Sequence, residues 1–77
     1  MQDVTKRIKR TMAAVFDISE EEIVDTSSPD NVEGWDSLRH MTLVLALEEE
    51  FNVELLDAEV HEMLNFLLIE NIIDRKL

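Results

Sequence analysis

Cysteine and tyrosine are absent from this chain of 77 residues, and glycine, proline and tryptophan each occur once. Without cysteine there is no disulfide framework, no thiolate nucleophile and no cysteine-ligated metal site. The lack of cysteine also fits a reducing compartment, so we expect a cytoplasmic protein. No apolar run is long enough to span a bilayer, and residues 1–6 have none of the features of a signal peptide.

Positive charge is also scarce. Seven Lys and Arg stand against 18 Asp and Glu, which gives a net charge of −11. Between Asp17 and Asp74 the only Lys or Arg is Arg39. Nucleic acid and anionic membrane would be repelled by such a surface, so we expect neither as a partner. A basic protein surface is the favoured partner, although an acidic composition can also serve solubility alone.

The length and the apolar spacing predict one all-α domain over residues 1–77. We expect a small four-helix bundle, with three main helices and one short helix. The predicted helices cover residues 2–17, 37–51, 58–63 and 66–76. Ser19 and Glu22 have capping-box spacing, and Asp57 and Asn65 are predicted N-caps. The long loop over residues 24–36 follows the first helix, and Trp35 is expected to anchor it on the bundle.

The second predicted helix carries two apolar stripes. The core stripe consists of Val44, Leu47 and Phe51, with Leu43 at its edge. The other stripe lies roughly 100–120° around the helix, and Glu48 continues it. Its apolar members are Leu38, Met41 and Leu45. Either both stripes are buried between neighbouring helices, or the second stripe is a partner-docking surface with an acidic end.

Ser37 is predicted to be the N-cap of this helix, exposed at the positive end of the helix dipole. That position suits a serine that carries a phosphate. A nucleophilic serine would need a base and an oxyanion hole. His40 is expected to be a partly buried histidine near the core edge, and His61 has no serine pattern near it. We therefore predict that the chain is not an enzyme.

No metal site is expected either. The two histidines are 21 residues apart and have no cysteine beside them, so no zinc spacing exists. No calcium-loop pattern is present.

The Asp36-Ser37-Leu38 triplet, followed by Leu43–Phe51 with its Ala-Leu-Glu-Glu-Glu-Phe ending, closely resembles the acyl carrier protein family. The similarity extends over nearly the whole chain. It implies that Ser37, flanked by Asp36 and Leu38, receives 4′-phosphopantetheine from coenzyme A by the action of a phosphopantetheinyl transferase. The thiol of this arm then holds acyl groups as thioesters and supplies the sulfur that the chain lacks.

The resemblance also implies that the second helix docks on basic surfaces of acyl-loading, condensing or acyl-transferring enzymes. This favours docking by a monomeric carrier through six residues: Leu38, Arg39, Met41, Leu45, Glu48 and Glu49. The cargo can also fold back between the helices of such carriers, and Leu47 and Phe51 are the candidate lining residues.

Three positions depart from the commonest pattern of fatty-acid carriers: Trp35 follows Gly34, and Arg39 and Thr42 replace residues that are often acidic. A cation two residues from the attachment serine would weaken docking on a basic surface. The hypothesis is therefore a carrier for a specialised pathway, such as polyketide, nonribosomal peptide or acyl-transfer chemistry. The alternatives are a carrier of primary fatty acid synthesis and an unmodified acidic helical interaction module.

Overall fold

The computed structural model describes residues 3–77, and within this range the chain is helical with no strand. Four α-helices form a small bundle: α1 (Val4–Phe16), α2 (Ser37–Phe51), α3 (Asp57–Glu62) and α4 (Phe66–Lys76). A 3₁₀ helix, Glu20–Glu22, follows α1 and has the predicted capping box from Ser19 and Glu22. The predicted fold class is confirmed. In this part of the chain no helix is long and apolar enough to cross a membrane.

Helix α1 contributes three fully or nearly fully buried residues to the core. Ile8, Met12 and Phe16 recur every four residues and therefore lie on one face. The helix begins where the Asp3 side chain accepts a hydrogen bond from the backbone N–H of Lys6, and it ends at Asp17 in the left-handed conformation. The predicted helix start at Gln2 lies outside the described residues.

Helix α2 covers the predicted range, and the four residues predicted for its core face are buried. Leu43 and Leu47 are completely buried, and Val44 and Phe51 are nearly so. Arg7 of α1 joins the end of this helix, because its Nε lies 2.7 Å from Glu50 Oε2 and its guanidinium lies over the Phe51 ring. The opposite charges and the aromatic face therefore hold α1 against the C-terminal turn of α2.

The second apolar stripe of α2 is exposed. Leu38 is 78% exposed, Met41 49% and Leu45 65%, so no neighbouring helix covers them. The alternative that both stripes are buried is wrong for this chain. The helix that follows, α3, is only six residues long, and the two long helices that contact the core lie on the other face.

The long loop is fixed to the N-terminus of α4. The backbone N–H groups of Phe66 and Leu67 donate to the carbonyls of Ser27 and Asp25, at 2.9 and 3.2 Å. The predicted cap at Asn65 is confirmed, since its side chain accepts from the N–H of Leu68. The loop therefore satisfies N–H groups that a helix start leaves without intrahelical partners.

Trp35 anchors the end of this loop, as predicted. Its side chain is only 4% exposed, and its ring centroid lies 5.1 Å from that of Phe16. This contact joins the loop to the last turn of α1 and brings residue 36 to the start of α2.

The predicted N-cap at Asp57 is wrong, because Leu56 occupies that position and Asp57 is the first helical residue. Glu59 satisfies the helix start instead: its Oε1 accepts from the backbone N–H of Leu56 at 2.9 Å. The same oxygen lies 2.8 Å from Lys76 Nζ, so this carboxylate also fastens α3 to the end of α4.

Glu59 should make stability depend on pH in the acid range. The hydrogen bond from Lys76, followed by that from Leu56 N–H, lowers the pKa of Glu59 below its ordinary value of 4.5. A lowered folded-state pKa gives stability that is present above the ordinary pKa and is lost as the pH falls through the folded one. We expect Glu59→Gln to lower the urea midpoint at pH 7 and to lower it less as the pH falls towards 3.

The matched control is Glu54→Gln, which removes one charge from an exposed residue beside the same helix. Its urea midpoint should move little at either pH. An equal loss for Glu59→Gln at pH 7 and pH 3 would contradict the role of the ionised carboxylate.

Candidate functional site

The start of α2 is capped by Asp36. Its backbone is extended, its carboxylate accepts from the N–H of Arg39 at 2.8 Å, and its carbonyl accepts from the N–H of His40. The predicted N-cap at Ser37 is therefore wrong by one residue, and Ser37 is the first residue of the helix. Serine and aspartate cap helices about equally well, but the ionised carboxylate also gains from the helix dipole.

Ser37 is exposed, and within residues 3–77 no group hydrogen-bonds to its hydroxyl. The backbone N–H groups of Ser37 and Leu38 belong to the first turn and have no intrahelical acceptor. These donors and the helix dipole favour an anion at this point. A phosphodiester on Ser37 Oγ would therefore displace no internal hydrogen bond and would lie where negative charge is stabilised.

A groove of about 480 Å³ opens beside Ser37. Its walls come from the end of the loop, the first turns of α2, and α3 with the residues after it. The residues that face it besides Asp36 and Ser37 are Pro29, Trp35, His40, Met41, Val60, His61, Met63 and Leu64. The volume lies within the range of small-molecule sites in proteins, so the groove can hold part of a group attached to Ser37.

His40 joins three segments of this groove. Trp35 Nε1 donates to His40 Nδ1 at 2.9 Å, and His40 Nε2 lies 3.1 Å from the carbonyl oxygen of Val60. An indole N–H can only donate, so Nδ1 of His40 is the acceptor and the ring proton is on Nε2. The Nε2–H group therefore donates a hydrogen bond to the carbonyl of Val60. Both ring nitrogens of His40 are thus engaged in hydrogen bonds within the domain. His40 is partly buried, as predicted, and has no lone pair free to serve as a base for Ser37.

Arg39 has a structural contact that the sequence pattern does not reveal. Its Nη1 donates to the carbonyl of Val15 at 3.0 Å, in the last turn of α1. A cation at the C-terminus of a helix is stabilised by the helix dipole and by the carbonyls that lack partners there. The guanidinium of Arg39 therefore points to α1, and part of its hydrogen-bonding capacity is taken up within the domain.

The two predicted acidic contacts differ in their surroundings. Glu49 is exposed, whereas Glu48 is partly buried and its Oε2 accepts from the backbone N–H of Leu55 at 2.8 Å. The predicted lining residues Leu47 and Phe51 lie in the core and do not face the groove. Among residues 3–77, no group of three or more His, Asp or Glu side chains is placed to hold a metal ion.

Known proteins resemble the chain over most of its length. The family described as "Phosphopantetheine attachment site" matches residues 6–65. Proteins named "Acyl carrier protein" from two strains of Buchnera aphidicola subsp. Acyrthosiphon pisum, Tuc7 and 5A, are each 36% identical to it over 63 residues. The alignment covers 82% of this chain and 79% of either relative.

The matched range contains the start of α2, the exposed serine and most of the residues that face the groove. The geometry at Ser37 also fits a bulky anionic attachment. The cofactor is therefore a covalently attached 4′-phosphopantetheine, and the chain belongs to the acyl carrier protein family.

Proposed function

We propose that Ser37 carries the 4′-phosphopantetheine group and that the protein presents acyl intermediates to other enzymes. The observation that supports this best is the exposed Ser37 hydroxyl at the first position of α2, beside the groove. Modification would form a bond from Ser37 Oγ to phosphorus and break the bond from that phosphorus to the nucleotide part of coenzyme A, which would leave as adenosine 3′,5′-bisphosphate while the hydroxyl proton is released. When bound, the cofactor supplies the thiol that holds the cargo as a thioester.

In this proposal the neighbours of Ser37 position it rather than react. Asp36 fixes the first turn through its hydrogen bond to the N–H of Arg39, so the direction of the Ser37 side chain is defined. Arg39 holds the same turn to the end of α1 through the Val15 carbonyl. Leu38 is 78% exposed beside the serine and offers an apolar contact to the transferase. The protein acts as a carrier and leaves catalysis to its partners.

The docking surface that we propose is the exposed stripe of α2 with its acidic end. Leu38, Met41 and Leu45 supply exposed apolar area, and Glu49 supplies an exposed negative charge. Glu48 contributes through the carboxylate oxygen that does not bind Leu55. A partner surface with a hydrophobic depression and basic rim fits this pattern, since opposite charges speed association and apolar contacts sustain it.

We further propose that the carrier serves a specialised pathway, such as polyketide, nonribosomal peptide or acyl-transfer chemistry. Arg39 supports this less than the sequence alone suggests, because its guanidinium is bound to α1. A second support is Trp35, which follows Gly34 where fatty-acid carriers usually have a small residue, and whose ring and bond to His40 shape the groove. We also propose that the protein is cytoplasmic and monomeric.

The test is modification of the folded protein with coenzyme A and a broad-specificity phosphopantetheinyl transferase. We expect the intact mass to increase by one phosphopantetheine group in the wild type and in Ser28→Ala, and not in Ser37→Ala. Ser28 is a matched control because it is a serine of the long loop that precedes α2.

The outcome separates the alternatives. No mass increase in the folded wild type would contradict the carrier proposal and favour an unmodified acidic interaction module. If the modified protein is loaded and elongated by a housekeeping fatty acid synthase as readily as that system's own carrier, the specialised pathway is wrong and primary fatty acid synthesis is right.

A further inference from the structure

We propose that the start of α4 is a second docking surface, separate from the exposed stripe of α2, and that it binds a cationic amphipathic helix of a partner protein. The surface consists of Leu64, Leu67 and Leu68, and we call it the α4 patch. The inference goes beyond the proposed function, because it concerns neither the attachment at Ser37 nor the cargo.

The first ground is that α4 exposes leucines that its own packing does not require. Leu64 is 61% exposed, Leu67 44% and Leu68 37%. The core face of the helix is complete without them, and its buried residues are Phe66, Ile69, Ile72 and Ile73. Exposed apolar side chains that are grouped together and rimmed by polar residues are typical of an interaction site.

A groove beside the α4 patch can receive a side chain of the partner. It has a volume of about 430 Å³ and lies between the end of α3 and α4. The residues that face it are Glu62, Leu68, Asn71, Ile72 and Arg75. Because Leu68 belongs both to the patch and to the groove, an apolar side chain that entered the groove would stay in contact with the patch.

The charges around the α4 patch favour a cationic partner. The carbonyl of Asp25, an exposed residue, accepts from the N–H of Leu67 at 3.2 Å, and the exposed Asp74 follows Leu67 by about two turns on the same face. Glu62 lies at the groove, where Arg75 Nη2 approaches its Oε1 at 3.9 Å and balances one carboxylate. Lysine and arginine would be attracted by this rim, whereas a second copy of this acidic chain or an anionic membrane would be repelled.

The secondary structure favours a helix as the occupant. Residues 3–77 contain no strand, so this part of the chain offers no sheet edge to which a partner strand could add. The outward face of α4 has leucines in its first turn and polar side chains after them. An amphipathic helix with one apolar stripe flanked by lysine and arginine matches both the apolar and the charged parts of this face.

The α4 patch leaves the start of α2 accessible. Leu67 and Leu68 do not face the groove beside Ser37, and only Leu64 lies at its wall. Helix α4 packs on α1 and α3. A partner bound at α4 would therefore keep this protein close while another enzyme docks on the exposed stripe of α2.

The probe for this surface is a synthetic helical peptide of about 15 residues, with leucine on one face and lysine on the other. Amide NMR of the unmodified protein locates its binding. We expect two separate groups of shifted amides, one along the exposed stripe of α2 and one within residues 64–75. Both should weaken with added salt, because opposite charges contribute to binding. A peptide with glutamate in place of lysine should shift neither group.

Leu67→Gln combined with Leu68→Gln should weaken binding at the α4 patch at least about tenfold and leave the shifts along α2 unchanged, because two apolar contacts are lost at α4 only. Leu45→Gln is the reciprocal variant and should weaken binding at α2 only. The matched control is Leu77→Gln, since Leu77 is a 63% exposed leucine at the other end of α4. It should weaken neither group.

Absence of peptide-induced shifts within residues 64–75 of the wild type would overturn the inference, whether or not the variants fold. Loss of both groups of shifts in the Leu67→Gln, Leu68→Gln variant, with its circular dichroism unchanged, would show one surface instead of two and would also overturn it. So would a wild-type dimer that these substitutions convert to a monomer, because the occupant would then be a second copy. Mass analysis after modification at Ser37 tests the proposed function separately, since the peptide experiment uses unmodified protein.

Discussion

Replacement of Leu47 by alanine lowers the free energy of unfolding by about 2–5 kcal/mol, the usual cost of emptying a buried leucine site. Leu47 is completely buried on the core face of α2. A domain of this size has roughly 4–12 kcal/mol of stability in total, so the variant is expected to lose a large fraction of it. Urea denaturation followed by circular dichroism measures the loss as a lower midpoint with an unchanged slope.

Leu45 is the matched control, two residues away on the same helix and 65% exposed. Leu45→Ala should change the free energy of unfolding by no more than about 0.5 kcal/mol, as surface substitutions usually do. Because it leaves the fold intact, it also isolates the proposed docking stripe. Slower modification of Leu45→Ala by a phosphopantetheinyl transferase is expected. Equal destabilisation by the two substitutions would contradict the assignment of the two faces of α2.

The second large effect is expected at Trp35. Trp35→Ala removes the ring that packs on Phe16 and the N–H that bonds to His40. The expected loss is about 3–5 kcal/mol, typical of a buried aromatic residue. The loop over residues 24–36 would lose its anchor next to Ser37. We expect faster proteolysis within this loop as well as a lower urea midpoint.

Trp35→Phe separates packing from hydrogen bonding. Phenylalanine retains an aromatic ring against Phe16 but leaves His40 Nδ1 without its donor, so the expected loss is about 1–3 kcal/mol. The ring proton of His40 should stay on Nε2 in both proteins, because the Val60 carbonyl remains its acceptor in the variant. Nitrogen-15 NMR of the imidazole identifies the nitrogen that carries the proton. A shift of the proton to Nδ1 in Trp35→Phe would show that the indole N–H, rather than the Val60 carbonyl, determines the tautomer.

Local patterns predict the helices of this protein well. The range of α2 follows from its apolar spacing, and the capping box at Ser19 and the cap at Asn65 follow from side chains that bond within three residues. The N-cap predictions at Ser37 and Asp57 are each wrong by one residue, and both errors have the same origin. In each case two polar residues close in sequence can satisfy the helix start, and the backbone conformation decides between them.

The features that define the candidate site depend on contacts distant in sequence. The bond between His40 and Val60 spans 20 residues and that between Arg39 and Val15 spans 24. Such pairs arise only when helices are placed in space, and side-chain type alone does not identify them. For the same reason, the apolar spacing alone does not show which of the two stripes of α2 is buried. The arrangement of the other helices decides this, and it leaves Leu38, Met41 and Leu45 facing solvent.

Trp35 is the one tryptophan in a chain without tyrosine, and its indole is held between Phe16 and His40 at the edge of the groove. Nearly all near-ultraviolet emission of the protein therefore originates at a single point next to Ser37. The fold thus contains its own fluorophore at the place where a cargo would enter. Entry of a group into the groove, or its departure, changes the surroundings of that fluorophore and can be followed in real time without a label.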